Sequence, residues 1–185
     1  MELKTRTLTI VALFTALMIA GAYISIPIAD LVPLTFQPFV SILAGSIIGP
    51  RLGFLAVFSY VVIGLAGVPV FSGFTGGFAK VLSPSFGFIL GFLAAALVTG
   101  MVTGKDRPTF ARVLAADMAG IFAIYLIGVP YMHFILRAVS GKDWTFWATT
   151  IGMVPFLVKD LALAAIASTI AVRLIPVARK ATRMQ

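Results

Sequence analysis

The stretch PFLVKDLALAA, residues 155 to 165, places a lysine and an aspartate side by side inside the last apolar run of the chain. An ionisable group deep in a bilayer costs about 2.5–3.5 kcal/mol on insertion scales and usually faces a polar cavity or a partner. Helical neighbours point about 100° apart, so Lys159 and Asp160 are expected to seek separate partners rather than neutralise each other directly. One outcome is structural: Lys159 reaches toward the headgroups on its aliphatic stem, and Asp160 pairs with it through water. The other is a ligand site. A carboxylate accepts hydrogen bonds from N–H groups, while an ammonium and a helix N-terminus favour an anion. Together they suit a small molecule with an N–H-rich head and a carboxylate tail.

The other reactive residue types are sparse. The six acidic residues are scattered, and the absence of cysteine removes disulfides, thiolate nucleophiles and thiolate metal sites. His133 is the sole histidine and has no second imidazole to join, which favours an interfacial role over a metal site. No catalytic residue, metal or cofactor is expected, because no nucleophile stands with a base and no carboxylates cluster. A phosphate-binding G-x-x-x-x-G-K-[ST] pattern is also missing, so energy from ATP has to come from another chain. Asp117 is expected to pair with Arg112 or to take part in coupling.

These residues need elements to hold them, and the composition says of what kind. Of 185 residues 61% are hydrophobic and 11% charged, against roughly 25% charged in soluble domains. Mean hydropathy is +1.10. Apolar runs of roughly 20 residues recur, as helices crossing lipid require. The expected architecture is an all-α integral membrane protein, a single membrane domain over residues 1–185. Its six transmembrane helices fall at about 7–28, 38–49, 52–68, 84–104, 111–130 and 155–175. Pro50-Arg51 separates the second from the third. The fifth is expected to end where Pro130 disfavours helical geometry in Val129, and WTFWATTIG is read as interfacial. The first run is too long for a cleaved signal peptide.

A net charge of +8 does not point to nucleic acid, because the basic residues border apolar runs. With a cytoplasmic N-terminus, Lys4, Arg6, Arg51, Lys105, Arg107, Arg112, Arg173, Arg179, Lys180 and Arg183 lie inside and only Lys80, Arg137, Lys142 and Lys159 outside. Both termini are then cytoplasmic, and the loops at 29–37, 69–83 and 131–154 face outward. Ala12, Ala16 and Ala20 share one face of the first helix, where small side chains let another helix approach, either within the bundle or from a partner.

PLTFQPFVSILAGSIIGPRLGFLAVFSYVVIGLAGVPVFSGFTGGF, LSPSFGFILGFLAAAL, YLIGVPY and PFLVKDLALA, in that order, cover most of the chain and resemble BioY, the biotin-binding S component of energy-coupling factor (ECF) transporters. The resemblance implies a six-helix bundle holding biotin near its outer face, in a bacterial or archaeal plasma membrane. It also implies docking through helix one onto an ECF transmembrane coupling subunit with two ATPase subunits, the A-x-x-x-A contact being matched by Ala12, Ala16 and Ala20. The family's D-x-x-K motif is matched by Asp160 but not by Leu163. Lys159, one turn outward on the same face as position 163, or Lys80 of the glycine-rich loop, is expected to meet the biotin carboxylate while Asp160 accepts ureido N–H bonds. By position, Thr35 and Gln37 are expected as polar partners, and Phe36, Phe78 and Tyr131 as apolar walls or as packing residues. An S component for another vitamin and a stand-alone secondary carrier remain the alternatives. Against the carrier stands the lack of inverted halves with paired broken helices.

Overall fold

Proline and glycine mark several of the helix boundaries of this apolar chain in the computed structural model, though not all of them. It describes residues 5–28, 32–104, 108–141 and 143–183, with side chains to residue 178. Lys4, Lys105, Arg107 and Lys142, and the side chains of Arg179, Lys180 and Arg183, all used in the charge count, lie outside the described residues.

Helix α1 spans Thr5–Tyr23. It stops before the expected position near 28, because Pro27 disfavours helix in Ile26 and the chain turns instead into an antiparallel hairpin, β1 (Ser25–Ile26) with β2 (Leu34–Thr35), Ser25 opposite Thr35. Helices α2 (Gln37–Ile48) and α3 (Pro50–Leu65) are separated by Gly49 at φ 87°, a left-handed conformation open to glycine, and by Pro50 at the start of α3. A 3-10 turn at Phe78–Leu82 precedes α4 (Phe86–Thr103).

Helix α5 spans Phe110–Ala138 and overturns the expected stop at Pro130, which lies inside it. In lipid the helix is the backbone's only route to satisfied hydrogen bonds, so it continues through a proline that would end a helix in water. Residues 131–138 are therefore helix rather than connection. A short helix α6 (Phe146–Gly152) follows, and α7 (Val154–Arg183) runs through Pro176, well beyond the expected end at 175.

Among the described residues four helices are long and apolar enough to cross a membrane: Thr5–Tyr23, Phe86–Thr103, Phe110–Ala138 and Val154–Ala178. Helices α2 and α3, with 12 and 16 residues, are shorter. At about 1.5 Å per residue α2 reaches only about 18 Å, yet it is the most enclosed element, buried on every face from Gln37 to Ile47. It packs against α1, α3, α4, α5 and α7. That position brings the start of α2, the hairpin before it and the outer part of α7 together at one end of the bundle.

Candidate functional site

Between the hairpin, the start of α2, the first turns of α4 and the first turns of α7 lies a cavity of about 40 Å³, lined by residues that include Thr35, Gln37, Ser72, Ser85, Phe88, Phe92, Phe156, Lys159 and Asp160. That volume holds ordered water and no larger guest. A second, wider cleft of about 300 Å³ is lined by Ser25, Pro27, Ile28, Pro33, Ser72, Gly73 and Lys80. Pro33 and Ser72 line both, so the two spaces adjoin through a thin partition.

Asp160 is 3% exposed. The Tyr125 hydroxyl on α5 donates to its Oδ2 at 2.7 Å. Lys159 Nζ lies 2.7 Å from Oδ1, so the expectation that these neighbours cannot neutralise each other is corrected. Adjacent Cβ atoms do diverge, but the four-carbon lysine stem is long enough to fold back over the next residue. The same ammonium donates to the Thr35 carbonyl at 2.6 Å and so ties the hairpin to α7. Oδ1 is buried, and the Lys159 ammonium is its only contact among the described residues. A carboxylate oxygen offers more than one lone pair. It has capacity for a donor that arrives from the cavity.

Gln37 donates from Nε2 to the Tyr60 hydroxyl at 2.7 Å, which fixes the amide at the cavity edge. Thr35 is buried, and its hydroxyl accepts from the Gln37 backbone N–H at 3.4 Å. Lys80, partly buried in the 3-10 turn, lies on the outer cleft, and burial pulls its ammonium below the usual lysine range. Among the described residues its side chain has no hydrogen-bond or ion-pair partner. Phe36, Phe78 and Tyr131 line neither space: Phe78 is 75% exposed, and Tyr131 donates its hydroxyl to the Val81 carbonyl at 2.5 Å, bracing the 3-10 turn. Leu163 is likewise absent from both linings.

Tyr125, Ser72, Ser85 and the aromatic wall of Phe88, Phe92 and Phe156 were not anticipated. A signal exists, since 88, 89 and 92 share one face of α4, as do 156, 159 and 160 on α7. On α4 it is masked because the whole helix is apolar. Ala12, Ala16 and Ala20 are all exposed and face away from the bundle, while Val11, Phe14, Thr15, Met18 and Ala22 form the buried side of α1.

Residues 1–180 match the model of the BioY family. A Pyrococcus horikoshii protein named probable biotin transporter BioY is 41% identical over 172 residues, 93% of this chain and 98% of the relative. The biotin transporter BioY of Thermotoga maritima is 38% identical over 169 residues, 91% and 95% of the two chains. Among solved structures, a crystal structure of the S-component for biotin from an ECF-type ABC transporter is similar at TM-score 0.70 and 26% identity, covering 92% of this chain and 91% of that one.

Proposed function

The chain belongs to the BioY family, and on that premise we propose that it is the biotin-capturing S component of an ECF-type ABC transporter. Four long apolar helices and kinship with named transporters make it a multi-pass membrane protein. One observation supports the substrate reading: Asp160 stands in the wall of a cavity with a buried oxygen whose only contact among the described residues is the Lys159 ammonium, leaving it room to accept a further donor. A ureido ring presents N–H groups to such an acceptor, and aromatic side chains such as Phe88 and Phe92 give its fused sulfur ring an apolar bed. At about 40 Å³ the inner space has to widen as the ring enters, by movement of the hairpin or of the segment that carries Ser72.

The two lysines take different parts in this reading. Lys159 is already engaged with Asp160 and Thr35, so it holds the site together. Lys80, on the adjoining 300 Å³ cleft, is the cation for the carboxylate tail, and an anion there compensates an ammonium that burial disfavours. Gln37 and Thr35 lie at the head-group end.

Six crossings with both termini cytoplasmic, in a bacterial or archaeal plasma membrane, fit the excess of basic residues on one side. The exposed Ala12, Ala16 and Ala20 offer helix α1 to the coupling subunit, which two ATPase subunits energise. Chain-only proteoliposomes that bind biotin without accumulating it, and that take it up once the energising subunits and ATP are present, would support this reading. Accumulation by the chain alone would favour a secondary carrier, and displacement of labelled biotin by thiamine or riboflavin would favour another vitamin.

A further inference from the structure

Asp117, about two turns into α5, is fully buried at the middle of the bundle. It does not pair with Arg112, whose Nε donates instead to the Val102 carbonyl at 3.0 Å. Ser46 Oγ from α2 lies 2.7 Å from its Oδ1, and Ser168 Oγ from α7 lies 2.7 Å from its Oδ2. Ser168 Oγ is also 2.8 Å from the Ala164 carbonyl, and Thr103 Oγ1 from α4 lies 3.4 Å from Ser46 Oγ. All four polar side chains are 0% exposed.

Among the described residues no cation balances this carboxyl. Helices α2, α4 and α6 carry no titratable side chain. On α7, Arg173 is exposed, and Asp160 and Lys159 sit eight and nine residues from Ser168 toward the start of the helix, about 12 Å or more along the axis. On α5 the nearest charge is Arg112, already engaged.

Ser168 is the point at which the proton count favours one form. A hydroxyl has one proton, so Ser168 cannot fully serve both Ala164 and an ionised Asp117. With the acid protonated on Oδ2 every proton finds one acceptor. Thr103 donates to Ser46, Ser46 to Asp117 Oδ1, the acid O–H to Ser168, and Ser168 to the Ala164 carbonyl. An uncompensated buried charge is avoided as well, since such groups neutralise rather than bear the desolvation.

We propose that Asp117 is a proton-holding positioning residue, a neutral carboxylic acid that closes a hydrogen-bond chain across α4, α2, α5 and α7. The rung it forms with Ser168 lies eight residues below the Tyr125–Asp160 rung on both antiparallel helices, and so fixes the height of α7 on which Asp160 is presented. That second clause rests on the function proposed above; the protonation state does not.

Infrared difference spectroscopy of the purified chain against Asp117→Asn at neutral pH tests the first clause. A carboxylic-acid C=O band present only in the natural chain, and raised in frequency by Ser46→Ala, is expected. Carboxylate bands in its place would overturn it. Should Asp117→Asn fail to fold, the chain labelled with 13C-aspartate and carrying Ser46→Ala gives the same readout: a labelled acid band that moves supports the proposal, and its absence or immobility overturns it. For positioning, Asp117→Asn, which can also accept from Ser46 and donate to Ser168, should keep biotin affinity within about threefold, whereas Asp117→Ala should weaken it tenfold or more. Equal affinity in both would remove the positioning role. If biotin binds to no form of the chain while the acid band is present, the functional reading fails and the proton site stands.

Discussion

Lys159 and Asp160 are successive residues of α7, and Lys159 Nζ lies 2.7 Å from Asp160 Oδ1 while it also donates to the Thr35 carbonyl. One side chain therefore neutralises the site carboxylate and fastens the hairpin that roofs it. Lys159→Met should remove both effects. Breaking a buried pair by deleting one partner costs about 3–5 kcal/mol, and with Lys159 one-fifth exposed the low end applies, about 3 kcal/mol. Thermal unfolding in detergent should show a clear drop, partly restored by Lys159→Arg. An unchanged midpoint would mean that the pair contributes nothing to the fold.

Lys80 gives a pH dependence of opposite origin. Burial lowers its proton affinity, so its ammonium is lost below the usual lysine range of about 10.4. Only the charged form attracts a carboxylate, and biotin stays anionic throughout, so affinity should fall as pH rises from neutral and should begin to fall below that range. Lys80→Arg should flatten the profile, and Lys80→Met should weaken binding by about tenfold at neutral pH, the scale of one charge-assisted hydrogen bond. Titration calorimetry across the pH range reads this directly; a flat profile in the natural chain would assign the tail to another group.

How much of this was legible beforehand depends on which force set each feature. Asp160 stands out because a carboxylate within an apolar run has to be explained, and a cavity lies beside it. The Lys159 contact did not, because angular reasoning about neighbouring Cβ atoms ignores the reach of a lysine stem. Pro130 misled for a related reason: the rule that proline ends helices comes from water, where freed carbonyls find solvent, and α5 passes through it. Phe36, Phe78 and Tyr131 were picked for being aromatic and near the loops. The walls come instead from Phe88, Phe92 and Phe156, whose facing depends on how α4 and α7 rotate against α2, a property of packing that an all-apolar helix does not encode in its pattern. The Asp117 chain joins residues up to 71 positions apart, and no local signal links Ser46 to Asp117.

Close packing around α2 gives a prediction about stability alone. A Cβ on Gly45 would lie against the Thr99 hydroxyl and the Ala96 carbonyl of α4, and the carbonyl is backbone that cannot swing aside. Overpacking of this kind costs about 1–3 kcal/mol, so Gly45→Ala should lower the unfolding temperature and the yield of folded protein. Wild-type stability would show that the α2–α4 spacing is looser than described.

The proposed docking face of α1 can be tested apart from capture. Ala16 is exposed on the face opposite the packing residues Phe14, Thr15 and Met18. Ala16→Phe should leave biotin binding within about twofold and abolish co-purification of the coupling subunit, because a large side chain prevents the close approach that small residues allow. Intact assembly in this variant would place the docking face elsewhere.

The central claim is that Asp160 receives the vitamin. Equilibrium binding of labelled biotin to the detergent-purified natural chain and to Asp160→Asn, each checked for folding by thermal unfolding, tests it most directly. The account predicts saturable binding in the natural chain that unlabelled biotin displaces and thiamine or riboflavin do not, with affinity lost by about 10- to 100-fold in the variant, the equivalent of one or two hydrogen bonds to a charged acceptor. Equal affinity in the two folded proteins, or no binding in the natural chain, would contradict it.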